Sequence, residues 1–230
     1  MAVGAQRLRQ RWEAAQEAEL RYWRTYRSIP TYQDFEPEPY WAERLDRLGI
    51  PAAAWQTLTV VEVGCGPTGM IFYLPPSRRK VGLDPLLGRL QVERPECVDL
   101  IRAVGEALPL RAGSADLVIC QNVIDHVLNP HAVLDEIHRI LRPAARLYLM
   151  AHTFPALLFP FLGFDTPHPH HWSSRQLLDL VGSHRFRIER QTREPTRFPV
   201  TWRGLVDPRT WKPAAANLIV SATFVSARQG

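Results

Sequence analysis

Hydrophobic runs alternate with amphipathic stretches along most of the chain. Runs such as LTVVEV and DLVIC have the length and β-branched content of buried strands. The stretches between them place apolar residues on one face of a helix. The pattern predicts strands over 58–63, 80–84, 99–104, 116–120 and 146–151, with helices over 69–74, 86–93 and 130–141. Strands that alternate with helices form βαβ units, so a mainly parallel α/β sheet is expected.

Both ends of the chain depart from this alternation. Residues 1–56 have a helical pattern and are predicted to form an N-terminal helical cap. Residues 57–230 are predicted to form the core domain, with insertions rich in proline and aromatic residues at 154–172 and 195–213. The predicted elements at the two ends are helices over 6–27, 38–48 and 173–181 and strands over 186–190 and 217–225. The final strand, the seventh, is expected to run antiparallel to the others.

The amino-acid composition and net charge limit the classes of protein to which the chain can belong. The 230 residues are 46% hydrophobic and 22% charged, which is typical of a globular domain. Three cysteines cannot complete a disulfide framework, and neither a signal peptide nor a membrane span is visible, so a soluble cytoplasmic protein is expected. The net charge of +5 comes mostly from arginines scattered along the chain. Because nucleic-acid binding needs clustered charge, we expect neither a nucleic-acid nor a membrane partner.

A glycine-rich turn follows the first predicted strand in VVEVGCGPTG, residues 60–69. Glycine at 64 and 66 allows a tight turn and a close approach of backbone to a ligand. Asp84 lies 22 residues after Glu62, at the end of the second strand, where a carboxylate can bind ribose hydroxyls. Enzymes that use NAD share this G-x-G-x-x-G spacing, so the turn alone does not identify the ligand.

With its later motifs, the sequence resembles the class I S-adenosylmethionine-dependent methyltransferases, in particular the small-molecule group. The resemblance covers about residues 58–225 and rests on VVEVGCGPTG, VGLDP, GEALPLRAGSADLVIC, NVIDHVLNPHAVLDEIHRILRP and RLYLMA, in the family's order. It implies a Rossmann-like, doubly wound sheet of seven strands. It also implies S-adenosylmethionine as cofactor and S-adenosylhomocysteine as product.

The resemblance assigns cofactor-binding roles to particular residues. Glu62 would anchor the methionine ammonium, directly or through water, and Asp84 would bind the ribose hydroxyls. Further contacts would come from Gly64, Cys65 and Gly66 to the methionine portion, Pro85 to adenine, Gly105 and Glu106 to the adenine edge, and Gln121 and Asn122 to the methionine. The chain has Val104-Gly105 where many relatives have Asp-Ala, so the contact to the adenine amino group would pass to backbone or to Glu106.

Histidines are the candidate catalytic groups. Removing a proton from a hydroxyl acceptor suits a base with a pKa near 7, and His126 follows the fourth strand, where the acceptor is expected. His171 and His152 are the alternatives. The TPHPHHW segment also brings imidazoles close together, but without matching carboxylate spacing, and we expect no metal.

The predicted function is methylation of a small organic molecule, most simply at a hydroxyl, by a monomer or homodimer. An RNA or protein methyltransferase remains an alternative, favoured only by the basic pI. A member of the fold that binds the cofactor without transferring methyl is another.

Overall fold

A seven-stranded sheet organises the part of the chain that the structure describes. The computed structural model describes residues 2–26, 44–90, 97–157, 168–195 and 216–224. The strands are β1 (Thr59–Val63), β2 (Arg79–Leu83), β3 (Asp99–Ile101), β4 (Ala115–Gln121), β5 (Leu141–Thr153), β6 (Phe186–Pro195) and β7 (Ala216–Phe224). Their order across the sheet is β3-β2-β1-β4-β5-β7-β6.

The strand directions confirm the predicted fold. β1 pairs in parallel with β2 and β4, β2 with β3, and β4 with β5. β7 is antiparallel to both β5 and β6, which gives the Rossmann-like, doubly wound sheet with an antiparallel seventh strand. The chain leaves β1 towards β2 and β3 and returns to form β4 on the other side of β1. In such sheets ligands bind in the crevice at the carboxyl ends of the strands where the order reverses.

In the described part of the chain, three helices of ten or more residues accompany the sheet: α1 (Ala2–Tyr26), α2 (Pro130–Ile140) and α3 (Ser174–Ser183). α2 begins at Asn129, whose side-chain oxygen accepts the backbone N–H groups of His131 and Ala132 at 3.1 and 3.3 Å. α3 begins with a capping box between Ser173 and Gln176. Both helix starts are therefore where the sequence predicts them. Single 3₁₀ turns occur at Ala52–Thr57 and Met70–Phe72.

The helix predicted over 86–93 is wrong for the described residues 86–90, which form turns. The Asp84 carboxylate accepts the backbone N–H of Leu86 at 2.8 Å, and Gly88 adopts a left-handed φ of 90°. Both features favour turns over a helix. The helix predicted over 69–74 is reduced to the 3₁₀ turn at Met70–Phe72.

Several predictions fall wholly or partly outside the described residues. They are most of the helix over 38–48, of which 44–47 form one helical turn, and most of the insertions at 154–172 and 195–213. The division into a cap at 1–56 and a core at 57–230 stays a prediction.

Apolar layers cover both faces of the sheet, because successive residues of a strand point to opposite sides. Val61 and Val118 pack in one layer with the buried faces of α2 and α3. Val60 and Leu117 pack in the other layer, which contains Trp55 and the 3₁₀ turn after β1. Within the described residues, no helix is both long enough and apolar enough to cross a membrane.

Candidate functional site

The turn after β1 presents backbone to the crevice. Gly64 and Gly66 have φ values of 73° and 46°, which an L-residue adopts at a cost of about 1–2 kcal/mol. The amide of Gly64 donates to the carbonyl of Leu83 at the end of β2, at 2.7 Å. A Cβ atom on Gly64 would lie 2.1 Å from the side chain of Val123, which follows β4. The turn is therefore wedged between β2 and the segment after β4, where a side chain does not fit.

The buried carboxylate of Glu62 binds the backbone just after this turn. Its side chain is buried, and its two oxygens accept the backbone N–H groups of Met70 and Ile71 at 3.2 and 2.7 Å. Burial raises the pKa of Glu62 to about 8, although these two bonds act in the opposite direction. Gln121, at the end of β4, lies close to Glu62, and its buried amide makes no regular hydrogen bond to a described residue. A buried amide of this kind provides donors and an acceptor to a polar ligand.

Asp84 lies at the end of β2, on the same edge of the sheet. One carboxylate oxygen accepts the N–H of Gly66 at 3.0 Å, and the other accepts the N–H of Leu86 at 2.8 Å. Burial raises the pKa of Asp84, and the nearby charge of Glu19 acts in the same direction. The backbone bonds and His126 oppose this shift. Asp84 is thus tied directly to the glycine-rich turn, while its role in binding ribose stays a prediction.

Among the other predicted cofactor residues, Glu106 has an unexpected partner. One of its oxygens accepts the N–H groups of Leu128 and Asn129 at 2.7 and 3.1 Å, so the side chain stabilises the start of α2. Of the remaining residues, Cys65 is buried, Gly105 packs against Val63 and Val133, Pro85 is half-buried, and Asn122 is exposed with a left-handed φ of 50°. Their cofactor contacts stay predictions.

Four imidazoles gather near the carboxyl ends of β4 and β5. His168 lies at the centre, with ring-centroid distances of 4.4 Å to His126, 6.4 Å to His152 and 6.5 Å to His171. The buried carboxylate of Asp125 lies against this group, 3.9 Å from Nε2 of His168. Burial acts to raise the pKa of Asp125, but His126 and His168 bring it below its usual value. The carboxylate is therefore the counter-charge of the histidine cluster.

His170 has a different environment from its neighbours in the TPHPHHW segment. Its Nε2 atom lies 2.9 Å from the carbonyl of Val127, and its backbone N–H donates to the carbonyl of Asp125. Its ring stacks on Trp172, and burial lowers its pKa. His170 therefore fastens the segment before α3 to the segment after β4, which brings His168 to His126.

The distances between the ligand atoms of Asp125, His126 and His168 show how well these side chains fit a metal ion. Ligand atoms of Asp125, His126 and His168 all lie within 4.8 Å of one another. In a tetrahedral zinc site with bonds of about 2.0–2.2 Å, two ligand atoms lie roughly 3.4 Å apart. The 3.9 Å between Asp125 and His168 already exceeds this, so the three side chains would have to move closer together to coordinate one ion. We assign no metal to them.

α1 contributes acidic side chains that the sequence analysis did not assign to the site. Oε1 of Glu19 lies 3.6 Å from Nδ1 of His126, and the ring of Trp23 would lie 3.7 Å from a Cβ atom on Gly66. Glu17 binds Arg89, which follows β2, at 2.8 Å. A signal was present in the sequence, since Glu19 is a carboxylate four residues from both Ala15 and Trp23, on the apolar face of the helix.

The chain is similar in sequence to known methyltransferases. Residues 61–149 match the family model of the methyltransferase domain. Over 109 residues the chain is 33% identical to the thiol S-methyltransferase TMT1A of Homo sapiens, a match that covers 41% of this chain and 43% of the human protein. The match thus spans less than half of the length of that relative.

Solved structures share the fold. A geranyl diphosphate methyltransferase in complex with GPP and sinefungin superimposes with a TM-score of 0.62 at 15% identity, over 81% of this chain and 77% of that one. The [4+2]-cyclase SpnF superimposes with a TM-score of 0.61 at 14% identity, over 81% and 82% of the two chains. The family match, the sheet order and the glycine-rich turn with its paired acid agree: residues 61–149 match the methyltransferase domain, and the described fold is that of the class I S-adenosylmethionine-dependent methyltransferases.

Proposed function

We propose that the chain transfers the methyl group of S-adenosylmethionine to a hydroxyl oxygen of a small organic acceptor, with His126 as general base. The family supports the methyl transfer, and the observation that carries the base is the position of His126. Its imidazole lies just beyond β4, and its electrostatic effect on Asp84 opposes the rise in the pKa of that carboxyl that burial causes. A proton acceptor and the expected ribose-binding acid therefore share one crevice.

The residues of the crevice fit this cofactor. Each oxygen of Asp84 accepts one backbone N–H and has a further lone pair for a ribose hydroxyl. Gln121 has a buried amide beside Glu62 that makes no regular hydrogen bond to a described residue, in the position expected for the polar end of the methionine. When bound, the cofactor supplies a methyl group on a positively charged sulfur.

The chain's own task is to align the acceptor and remove its proton. During methyl transfer, His126 would accept the hydroxyl proton of the acceptor on its imidazole, while the acceptor oxygen gains the methyl group and the sulfur becomes neutral. The products are a methyl ether, a neutral thioether and an imidazolium, so charge and atoms balance. The Asp125 carboxylate, which already faces the histidine cluster, stabilises the added positive charge.

A thiol acceptor is the second candidate, because the human relative is a thiol S-methyltransferase. Thiols ionise near pH 8.5, so a few per cent is thiolate at neutral pH without a base. Methylation of a thiol would therefore depend much less on His126 than methylation of a hydroxyl. The size of the loss of turnover in His126→Ala therefore distinguishes a hydroxyl acceptor from a thiol acceptor.

The decisive experiment measures release of S-adenosylhomocysteine with panels of phenols, alcohols and alkyl thiols. His126→Ala is expected to lower turnover of a hydroxyl acceptor by about 10²–10⁴-fold, with cofactor affinity unchanged by calorimetry. His131→Ala is the matched control, because His131 is an exposed histidine on α2 that contacts His184. It is expected to leave turnover unchanged.

Three outcomes would contradict the proposal. Unchanged turnover in a folded His126→Ala variant would show that His126 is not the general base. Loss of activity on chelation, with recovery on adding zinc, would replace the base with a metal. Tight cofactor binding without release of S-adenosylhomocysteine with any acceptor, including RNA and protein, would favour a non-methylating role. The cyclase SpnF shares this fold, so the fold alone does not require methyl transfer.

A further inference from the structure

α1 crosses the crevice and meets the segments that follow three different strands. Glu17 binds Arg89 after β2, Trp23 covers Gly66 after β1, and Glu19 faces His126 after β4. Ala15 and Leu20 are buried on the same helix and fix its rotation. The contacts with Gly66 and His126 are direct contacts to the predicted cofactor and catalytic residues, so α1 belongs to the site.

Glu19 is the charged member of the inward face of α1. Its side chain is 25% exposed and that of His126 is 13% exposed, so water screens this pair less than it screens a surface ion pair. Nδ1 of His126 is buried and has no hydrogen bond to a described residue. The carboxylate oxygen of Glu19 lies 3.6 Å from that atom. A shift of less than about 1 Å would bring the two atoms to hydrogen-bonding distance.

We propose that Glu19 is the positioning residue of His126. It accepts the Nδ1–H of the imidazole, which selects the tautomer whose Nε2 lone pair can take the proton from the acceptor. The carboxylate also stabilises the imidazolium that proton transfer produces. This inference rests on the proposed role of His126 as base. It makes docking of α1 a condition for proton transfer, so the N-terminal helix completes the catalytic site.

The chain provides a matched pair of variants. Glu19→Gln keeps the size of the side chain but removes its charge and adds an amide donor, so the side chain can pair with either tautomer of the imidazole. Glu13→Gln makes the same change two turns earlier in α1, at an exposed residue that pairs only with Arg9 of the same helix among its described contacts. Glu19→Gln is expected to lower kcat by about 10- to 100-fold, with KM for the acceptor and affinity for S-adenosylmethionine unchanged. Glu13→Gln is expected to leave all three unchanged.

A double-mutant comparison separates this inference from the proposed function. If Glu19 acts through His126, the Glu19→Gln/His126→Ala double variant is expected to be no slower than His126→Ala alone. Losses that multiply would overturn the inference and leave the base role intact. Unchanged turnover in His126→Ala would instead overturn the base role itself.

A spectroscopic readout tests the tautomer without measuring activity. Nitrogen-15 NMR of the histidines is expected to show Nδ1–H at His126 in the wild type and in Glu13→Gln. In Glu19→Gln the Nδ1–H population is expected to fall. The same tautomer in all three proteins would contradict a positioning role for Glu19.

Discussion

The buried carboxylate of Glu62, beside the glycine-rich turn, makes the stability of the folded protein depend on pH. Its two oxygens hold the N–H groups of Met70 and Ile71, which fixes the chain just after the turn. Because burial raises its pKa to about 8, the folded protein binds a proton that the unfolded chain releases above its ordinary value of 4.5. The contribution of Glu62 to stability is therefore greatest below about pH 4.5 and is lost as the pH rises to about 8.

We predict that the unfolding free energy of wild type relative to Glu62→Gln falls between pH 5 and pH 8. The decrease is at most about 1.4 kcal/mol per pH unit, because one proton is involved. Urea unfolding of the ligand-free protein at several pH values measures it. The glutamine variant lacks the titrating group and serves as the reference. A difference that does not change with pH would show that Glu62 ionises normally.

At the scale of elements, the turns at the two ends of the parallel strands differ in how much space they leave for a side chain. Gly64 and Gly113 both have left-handed φ values, 73° and 61°. A Cβ atom on Gly113 would meet nothing within 4 Å, whereas one on Gly64 would collide with Val123. The β1 turn therefore depends on contact with the segment after β4, and the turn before β4 does not.

This contrast gives a matched prediction. Gly113→Ala is expected to destabilise the protein by about 1–2 kcal/mol, through backbone strain alone. Gly64→Ala adds overpacking to the same strain and is expected to cost about 1–3 kcal/mol more, with weaker binding of S-adenosylhomocysteine. Urea unfolding and calorimetry measure the two effects. Equal losses of stability in both variants would mean that Val123 moves aside without cost.

Across the whole molecule, the crevice collects residues from distant parts of the chain. Glu62 and Gly66 lie at the end of β1, Asp84 at the end of β2 and His126 beyond β4, while Glu19 comes from α1. The reversal of strand order between β1 and β4 brings these strand ends to one edge. A ligand that contacts all of them would couple the N-terminal helix to the sheet.

Binding should therefore stabilise the folded protein. At a concentration 100 times its Kd, S-adenosylhomocysteine is expected to add about 2.7 kcal/mol to the unfolding free energy, seen as a higher Tm.

Asp84→Ala is expected to weaken binding of S-adenosylhomocysteine by about 1.5–3 kcal/mol, because a charged hydrogen bond is lost, and so to reduce the shift in Tm at the same ligand concentration. NAD is the negative control. Stabilisation by NAD, or an unchanged affinity for S-adenosylhomocysteine in Asp84→Ala, would contradict the cofactor assignment.

Local sequence was sufficient for most of the sheet and for the paired motifs. The buried strands β1 and β4 were predicted because apolar runs with β-branched residues indicate burial on both faces. Gly64, Gly66 and Asp84 followed from the spacing of a turn and an acid at successive strand ends. The start of α2 at Asn129 followed from a cap residue directly before proline. Each of these signals lies within a few residues of the structure that it specifies.

Tertiary structure alone decided which distant side chains meet. The helix predicted over 86–93 was wrong at 86–90 because Asp84 and Gly88 impose turns on an otherwise helical pattern. The three histidines of TPHPHHW take different roles only because His170 fastens its segment to the chain after β4. The approach of Glu19 to His126 joins residues more than a hundred positions apart. Periodicity indicates which face of an element is buried, but the partner across that face depends on how whole elements pack.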